Sequence, residues 1–145
     1  RELSRLGFIS RPRDAAESTG LVERLGVRTR SIHTMVSALS GGNQQKVALG
    51  KWLPTQPSVL LLDEPTRGVD VGAKAEIHRL IRGIARDGAA VVVVSSEAQE
   101  IMTLSDRVMV MRRGTVAARF DELTGVTQDD ILAAAIAETG GAGAA

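Results

Sequence analysis

The sequence predicts an α/β fold with parallel strands, flanking helices and a C-terminal hairpin, and three observations carry that expectation. Two short continuous apolar runs, residues 58–63 and 89–94, fit strands buried on both faces of a parallel sheet. Between them, residues 72–86 place Ala73, Ile77, Leu80, Ile81 and Ile84 at helical spacing, so strand, helix and strand form a right-handed βαβ unit. Further on, residues 107–111 and 115–120 flank Arg113-Gly114 as the two arms of a hairpin.

In chain order, residues 1–13 read as an irregular segment containing Arg and Pro. Asp14 with Glu17 three positions on is a capping-box-like helix start. The short helix that follows carries Leu21, Val22 and Leu25 on one side and ends at Gly26. Met35, Val36 and Leu39 suggest a weakly helical approach to the next helix, which begins after Gly42, runs to Leu53 and is stopped by Pro54. The first buried run ends in Asp63-Glu64-Pro65, and Asp87-Gly88 closes the βαβ helix. Ser96 with Gln99 caps a helix over residues 97–104. Thr127-Gln128-Asp129-Asp130 opens a last helix carrying Ile131, Leu132, Ala135 and Ile136. Residues 140–145 are only Gly and Ala, which fits a disordered tail.

A chain of 145 residues suits one domain and can bury a real core. With 43% hydrophobic but only 2% aromatic residues, that core is aliphatic. Eighteen basic against 17 acidic residues leave a net charge of +1, which gives no field for nucleic acid or acidic lipid. Seven Arg against four acids in the first thirty residues read as solvated surface. The absence of cysteine excludes disulfides, thiolate chemistry and Cys-based metal sites. No run approaches the length of a membrane span, and the first residues do not read as a signal peptide, so a cytoplasmic location is expected. The chain starts at Arg1 rather than Met, and we expect it to be part of something longer.

The most informative stretch is Leu39-Ser40-Gly41-Gly42-Asn43-Gln44-Gln45-Lys46-Val47. A hydroxyl residue and two glycines precede a helix start, whose unpaired N–H groups carry partial positive charge and can hold a phosphate. The glycines offer freedom to adopt φ > 0 and leave room for a close ligand. Taken alone, Ser-Gly-Gly is more often a glycine turn with Ser40 as N-cap. Chemistry is also expected where buried strands end, which places Asp63 and Glu64 in view. His33 and His78 read as ordinary surface residues.

Residues 39–47 resemble the signature motif of ATP-binding-cassette (ABC) ATPases, and the likeness runs from about Val27 to Ile136 with several motifs in order. Asn43-Gln44-Gln45-Lys46 is similar to the variant in the second nucleotide-binding domain of carbohydrate importers of the ribose, galactose, xylose and arabinose group. The resemblance implies a partial P-loop NTPase fold. Residues 1–38 would be a remnant of the helical subdomain, 39–126 the ATPase core, and 127–145 a C-terminal helix and flexible tail. It implies ATP and Mg²⁺ as cofactors. Asp63 would take the Walker B position on Mg²⁺, Glu64 the general-base position, and Asp70 the D-loop position across a dimer interface. Ser40, Gly41, Gly42 and Gln44 would clamp the γ-phosphate of ATP held by a partner domain.

Two departures from the family pattern matter. Ser96 stands where a histidine usually contacts the γ-phosphate, and serine supplies no charge there. Nothing matches G-x-x-x-x-G-K-[ST], the loop that cradles phosphates. The strand of that loop lies between residues 89–94 and 107–111 in the family, so its absence leaves two unpaired edges. The isolated chain is therefore expected to be marginal, to aggregate or to fill the gap with another copy, and to turn over no ATP.

The expected role is the ATP-binding part of a sugar importer, peripheral on the inner face of the cell membrane. Its implied partners are the first ABC domain of the same polypeptide or a second copy, a transmembrane permease and, indirectly, a sugar-binding protein, with no nucleic acid. A soluble tandem ABC protein of translation or DNA repair, or a non-enzymatic truncated remnant, are the alternatives.

Overall fold

The computed structural model describes residues 4–5, 8–9 and 11–137. Its first departure from expectation comes at the start, where Ser4–Arg5 (β1) and Phe8–Ile9 (β2) pair antiparallel instead of running irregularly. The predicted tail, residues 140–145, lies outside the described residues. Contacts divide the chain into two units, Arg1–Leu61 with Pro65–Val92 and Leu62–Glu64 with Val93–Ala145.

In the first unit, helix α1 spans Arg11–Arg24 and so begins three residues before Asp14. Pro12 lies in its first turn, where a missing N–H costs no helical bond. Asp14 is therefore not the cap; it sits inside the first turn, near the positive end of the helix. The C-terminus is as expected. Gly26 has φ 59, its N–H reaches Glu23 O at 3.0 Å, and Val27 N–H reaches Val22 O at 2.9 Å, a Schellman ending that needs a left-handed residue.

A single 3₁₀ turn, Val36–Ala38, supplies the weakly helical approach to α2, Gly41–Gly50. Helix α2 starts two residues before the expected position and ends three before Leu53, because Pro54 sits in a separate 3₁₀ turn, Leu53–Thr55. Strand β3 is Val59–Asp63, helix α3 is Val71–Arg86 and strand β4 is Ala90–Val94. Strands β3 and β4 pair. Ala90 N–H bonds Ser58 O at the start of the pair and Glu64 N–H bonds Val94 O at its end, so the two strands run parallel. Helix α3 buries Ile77, Ile81 and Ile84, the three isoleucines of the predicted face. Gly88, at φ 103, ends it with bonds from Gly88 N–H to Ala85 O and from Ala89 N–H to Ile84 O.

The second unit carries α4 (Ala98–Leu104), β5 (Val108–Arg112), β6 (Thr115–Phe120) and α5 (Gln128–Ile136). Strands β5 and β6 form the predicted hairpin, with Arg113 and Gly114 at φ 47 and 80, the double left-handed turn that matches strand twist. Its core is Ala98, Val108, Val110 and Ile131, joined by Ile101, Met102 and Phe120. Thr127 and Asp130 form a full capping box at α5. The expected Ser96 cap of α4 is not made: Glu97 takes the N-cap position, and its side chain does not cap the helix. Leu132 and Ile136 of α5 are exposed rather than packed.

The strands correct one expectation clearly. Neither β3 nor β4 is buried on both faces. Leu60 is buried, while Val59, Leu61 and Val92 are about half exposed or more. Alternation between faces is the signature of a sheet covered on one side. Among the described residues the sheets β3–β4 and β5–β6 are each two-stranded, so each of these strands has one neighbour. Among the described residues no helix is long and apolar enough to cross a membrane.

Candidate functional site

Ser40 occupies the N-cap position of α2 in extended conformation, yet its hydroxyl caps nothing. The first intrahelical bond runs from Gln44 N–H to Ser40 O, so the N–H groups of Gly41, Gly42 and Asn43 precede the helical ladder. Ser40 itself is exposed. An exposed hydroxyl beside three such N–H groups is chemically suited to a phosphate oxygen.

One of the two reasons expected for the glycines, a positive φ, does not hold, and packing supplies another. Neither Gly41 nor Gly42 has positive φ. A Cβ on Gly42 would lie 2.5 Å from the Cβ of Ala73, and one on Gly41 would lie 3.5 Å from Gly68 O. Both glycines are the surface on which the start of α2 meets the Gly68–Ala73 segment. Ser40, Gly41 and Gly42 are therefore brought together with Asp70 in one unit. Asp70 is the N-cap of α3, accepting from Ala73 N–H at 2.9 Å, which is the structural half of its two expected roles.

Two cavities flank this helix start. One of about 170 Å³ is lined by Ser40, Asn43, Lys46, Asp70 and Glu76 among others. The second, of about 390 Å³, is lined by Gly41, Gln44, Gln45, Arg67 and Val69 among others. Gln44, expected to face a phosphate, donates its side-chain N–H to Leu39 O at 2.9 Å. Asn43, which the motif alone does not single out, donates to Ser40 Oγ at 2.9 Å. Its contact with Arg28, fifteen residues earlier, is invisible to local patterning.

Lys46 is 3% exposed, and its ammonium is held by Glu76 at 2.5 Å and by Gly26 O at 2.9 Å. Arg28 stands 3.5 Å from the same carboxylate. The hydrogen bond from Lys46, followed by its charge and then that of Arg28, holds Glu76 below the ordinary carboxylate value. A buried ammonium satisfied in this way pins α2 to α3 and to the end of α1.

The second group lies in the other unit. Asp63 ends β3 with an exposed side chain. Glu64 follows in the left-handed region at φ 47, a conformation that costs a non-glycine residue about 1–3 kcal/mol and clusters at functional positions. Its backbone N–H is tied to Val94 O at 2.8 Å, and its carboxylate accepts from Ser96 N–H at 2.9 Å. Glu64 and Ser96 are thus brought together, through the Ser96 backbone rather than its hydroxyl. Among the described residues no three His, Cys, Asp or Glu side chains converge. A lone Asp63 suits Mg²⁺, which needs one or two protein carboxylates when phosphates supply further oxygens.

Comparison with known proteins gives a consistent picture. The ABC transporter family matches residues 8–67. The ribose import ATP-binding protein RbsA of Rhodopirellula baltica is 50% identical over 132 residues, 91% of this chain and 26% of that protein. The RbsA of Chromobacterium violaceum is 48% identical over 141 residues, 97% of this chain and 27% of that one. The chain thus spans about a quarter of the length of these curated relatives. Among solved structures, the dimeric ABC transporter cassette MJ0796 superposes with a TM-score of 0.67 at 25% identity, over 79% of this chain and 50% of that one. An inward-facing ABC transporter of putative metal-chelate type shares the fold, with a TM-score of 0.74 at 17% identity over 91% of this chain and 52% of that chain.

Proposed function

The chain belongs to the ABC transporter ATP-binding family, and from that premise we propose that it supplies the signature half of a composite ATP site in a sugar importer. The carrying observation is the exposed Ser40 hydroxyl at the N-terminus of α2, which caps no helical N–H and accepts from Asn43, so that its own proton remains for a phosphate oxygen. Ser40 and the N–H groups of Gly41 and Gly42 would bind the γ-phosphate of ATP held by the first ABC domain of the same polypeptide, or by a second copy. Such donors act without reorganisation when charge develops on the transferring group. The likeness to ribose import proteins supports a carbohydrate, carried by a transmembrane permease and delivered by a sugar-binding protein.

Asp63 and Glu64 belong to the other composite site. Asp63 would hold Mg²⁺, which when bound neutralises phosphate charge. Glu64 would orient the attacking water as general base. Ser96, standing in place of histidine, provides only its backbone N–H to Glu64, so this site is slow. Asp70 would bridge the interface between the domains. The two sites are therefore unequal, and this chain's main contribution is to complete the faster one on the inner membrane face.

The test is Ser40→Arg in the full-length protein. Loss of ATP turnover and uptake supports the reading. Full activity with the bulky cation in place overturns it.

A further inference from the structure

We infer that Asn43 is the positioning residue for the Ser40 hydroxyl, an inference that rests on the clamp reading above. Arg28 N–H donates to Asn43 Oδ1 at 3.0 Å, which fixes the oxygen end of the amide. The nitrogen end is then aimed at Ser40 Oγ at 2.9 Å, with Arg28 O at 3.4 Å. Both amide groups are engaged, and the side chain has no freedom to turn. Ser40 Oγ accepts the Asn43 N–H, so its own proton is left to point out of the helix start, where Ser40 is exposed.

The Arg28 backbone is itself held. Gly26 O accepts from the buried Lys46 ammonium, three residues along α2 from Asn43, and Gly26 is fixed by the α1 ending. Residues 26–28 therefore strap the signature helix at positions 43 and 46. Asn43 touches no ligand in this arrangement; it orients a donor that does.

The experiment is a double-mutant cycle in the full-length protein, reading kcat and KM for Mg-ATP turnover and the melting midpoint. Ser40→Ala is expected to lower kcat/KM roughly 10- to 100-fold, the value of a hydrogen bond to a charged group. Asn43→Ala is expected to lose no more than Ser40→Ala, with the melting midpoint kept, and the double variant to match Ser40→Ala. Asn43→Asp keeps the acceptor for Arg28 N–H but cannot donate to Ser40, and is expected to fall to the level of Asn43→Ala. Losses that multiply, or a larger loss from Asn43→Ala than from Ser40→Ala, overturn the positioning role while leaving the clamp intact. An unaffected Ser40→Ala overturns the clamp and this inference with it.

Discussion

The signature helix and the end of strand β3 both present groups suited to phosphate chemistry, but they are held by opposite means. Around α2, side chains do the holding: Asn43 on the Arg28 backbone, Gln44 on Leu39 O, Lys46 on Glu76 and Gly26 O. At β3, the backbone does it: Glu64 sits at φ 47, with Val94 O on its N–H and Ser96 N–H on its carboxylate. A clamp that must meet a phosphate at fixed distance gains from a locked side-chain network. The Glu64 carboxylate is instead anchored by a main-chain donor, Ser96 N–H, on a main chain already fixed at φ 47.

The largest test of that contrast compares two variants of the full-length protein. Ser40→Arg is expected to lower steady-state ATP turnover by about 100-fold or more, the scale of removing a preorganised donor. Glu64→Gln is expected to stay within roughly 3-fold of the parent, because general-base catalysis at a slow site limits little of the total. The reverse order would break the comparison. Next, in the Ser40→Arg background, Ser96→His is expected to raise the residual turnover roughly 10-fold by supplying the missing γ-phosphate contact. No change there would show that the Ser96 position does not limit its site.

Packing gives a smaller effect. Gly42→Ala places a methyl 2.5 Å from Ala73 Cβ and is expected to destabilise the α2–α3 contact by about 1–3 kcal/mol. Adding Ala73→Gly is expected to restore the melting midpoint. If Gly42→Ala alone melts like the parent, the close meshing of the two helices is wrong.

The smallest effects are in pH. Glu76 and Asp130 both have depressed values, Glu76 by Lys46 and Asp130 by the Thr127 hydroxyl and then its backbone. Their contributions are present above the ordinary values of 4.5 and 3.8 and are lost as pH falls below these through the lowered folded-state values. Amide exchange should therefore loosen at α2 and α3 and at the start of α5 in acid. Glu76→Gln should flatten the acid slope only in the first region, and Thr127→Val only in the second.

Much of this was legible in the residues themselves. Helix α3, strands β3 and β4, and the Arg113-Gly114 hairpin follow from apolar period and turn chemistry acting within a dozen residues. The one-sided exposure of Val59, Leu61 and Val92 was not, because an apolar run states what a strand wants to bury and not which element covers it. The site divides in the same way. The signature string marked Ser40 and the glycines, but Asn43 acquires its role from a backbone fifteen positions away. The left-handed Glu64 had no glycine or asparagine to announce it.

The close contact of Gly42 with Ala73 has a mechanical consequence. Two helix starts that mesh without clearance, with the buried Lys46 ammonium paired to the part-exposed Glu76 one turn further on, have no room for a hinge between them. Any rotation of the signature helix must carry α3 with it and be absorbed by the chain outside both. Gly68 is suited to that task within the connecting turn: it is left-handed at φ 74, and nothing lies within 4 Å of where its Cβ would be. The pivot of this region is set by where a methyl group cannot fit and where one would meet only open space.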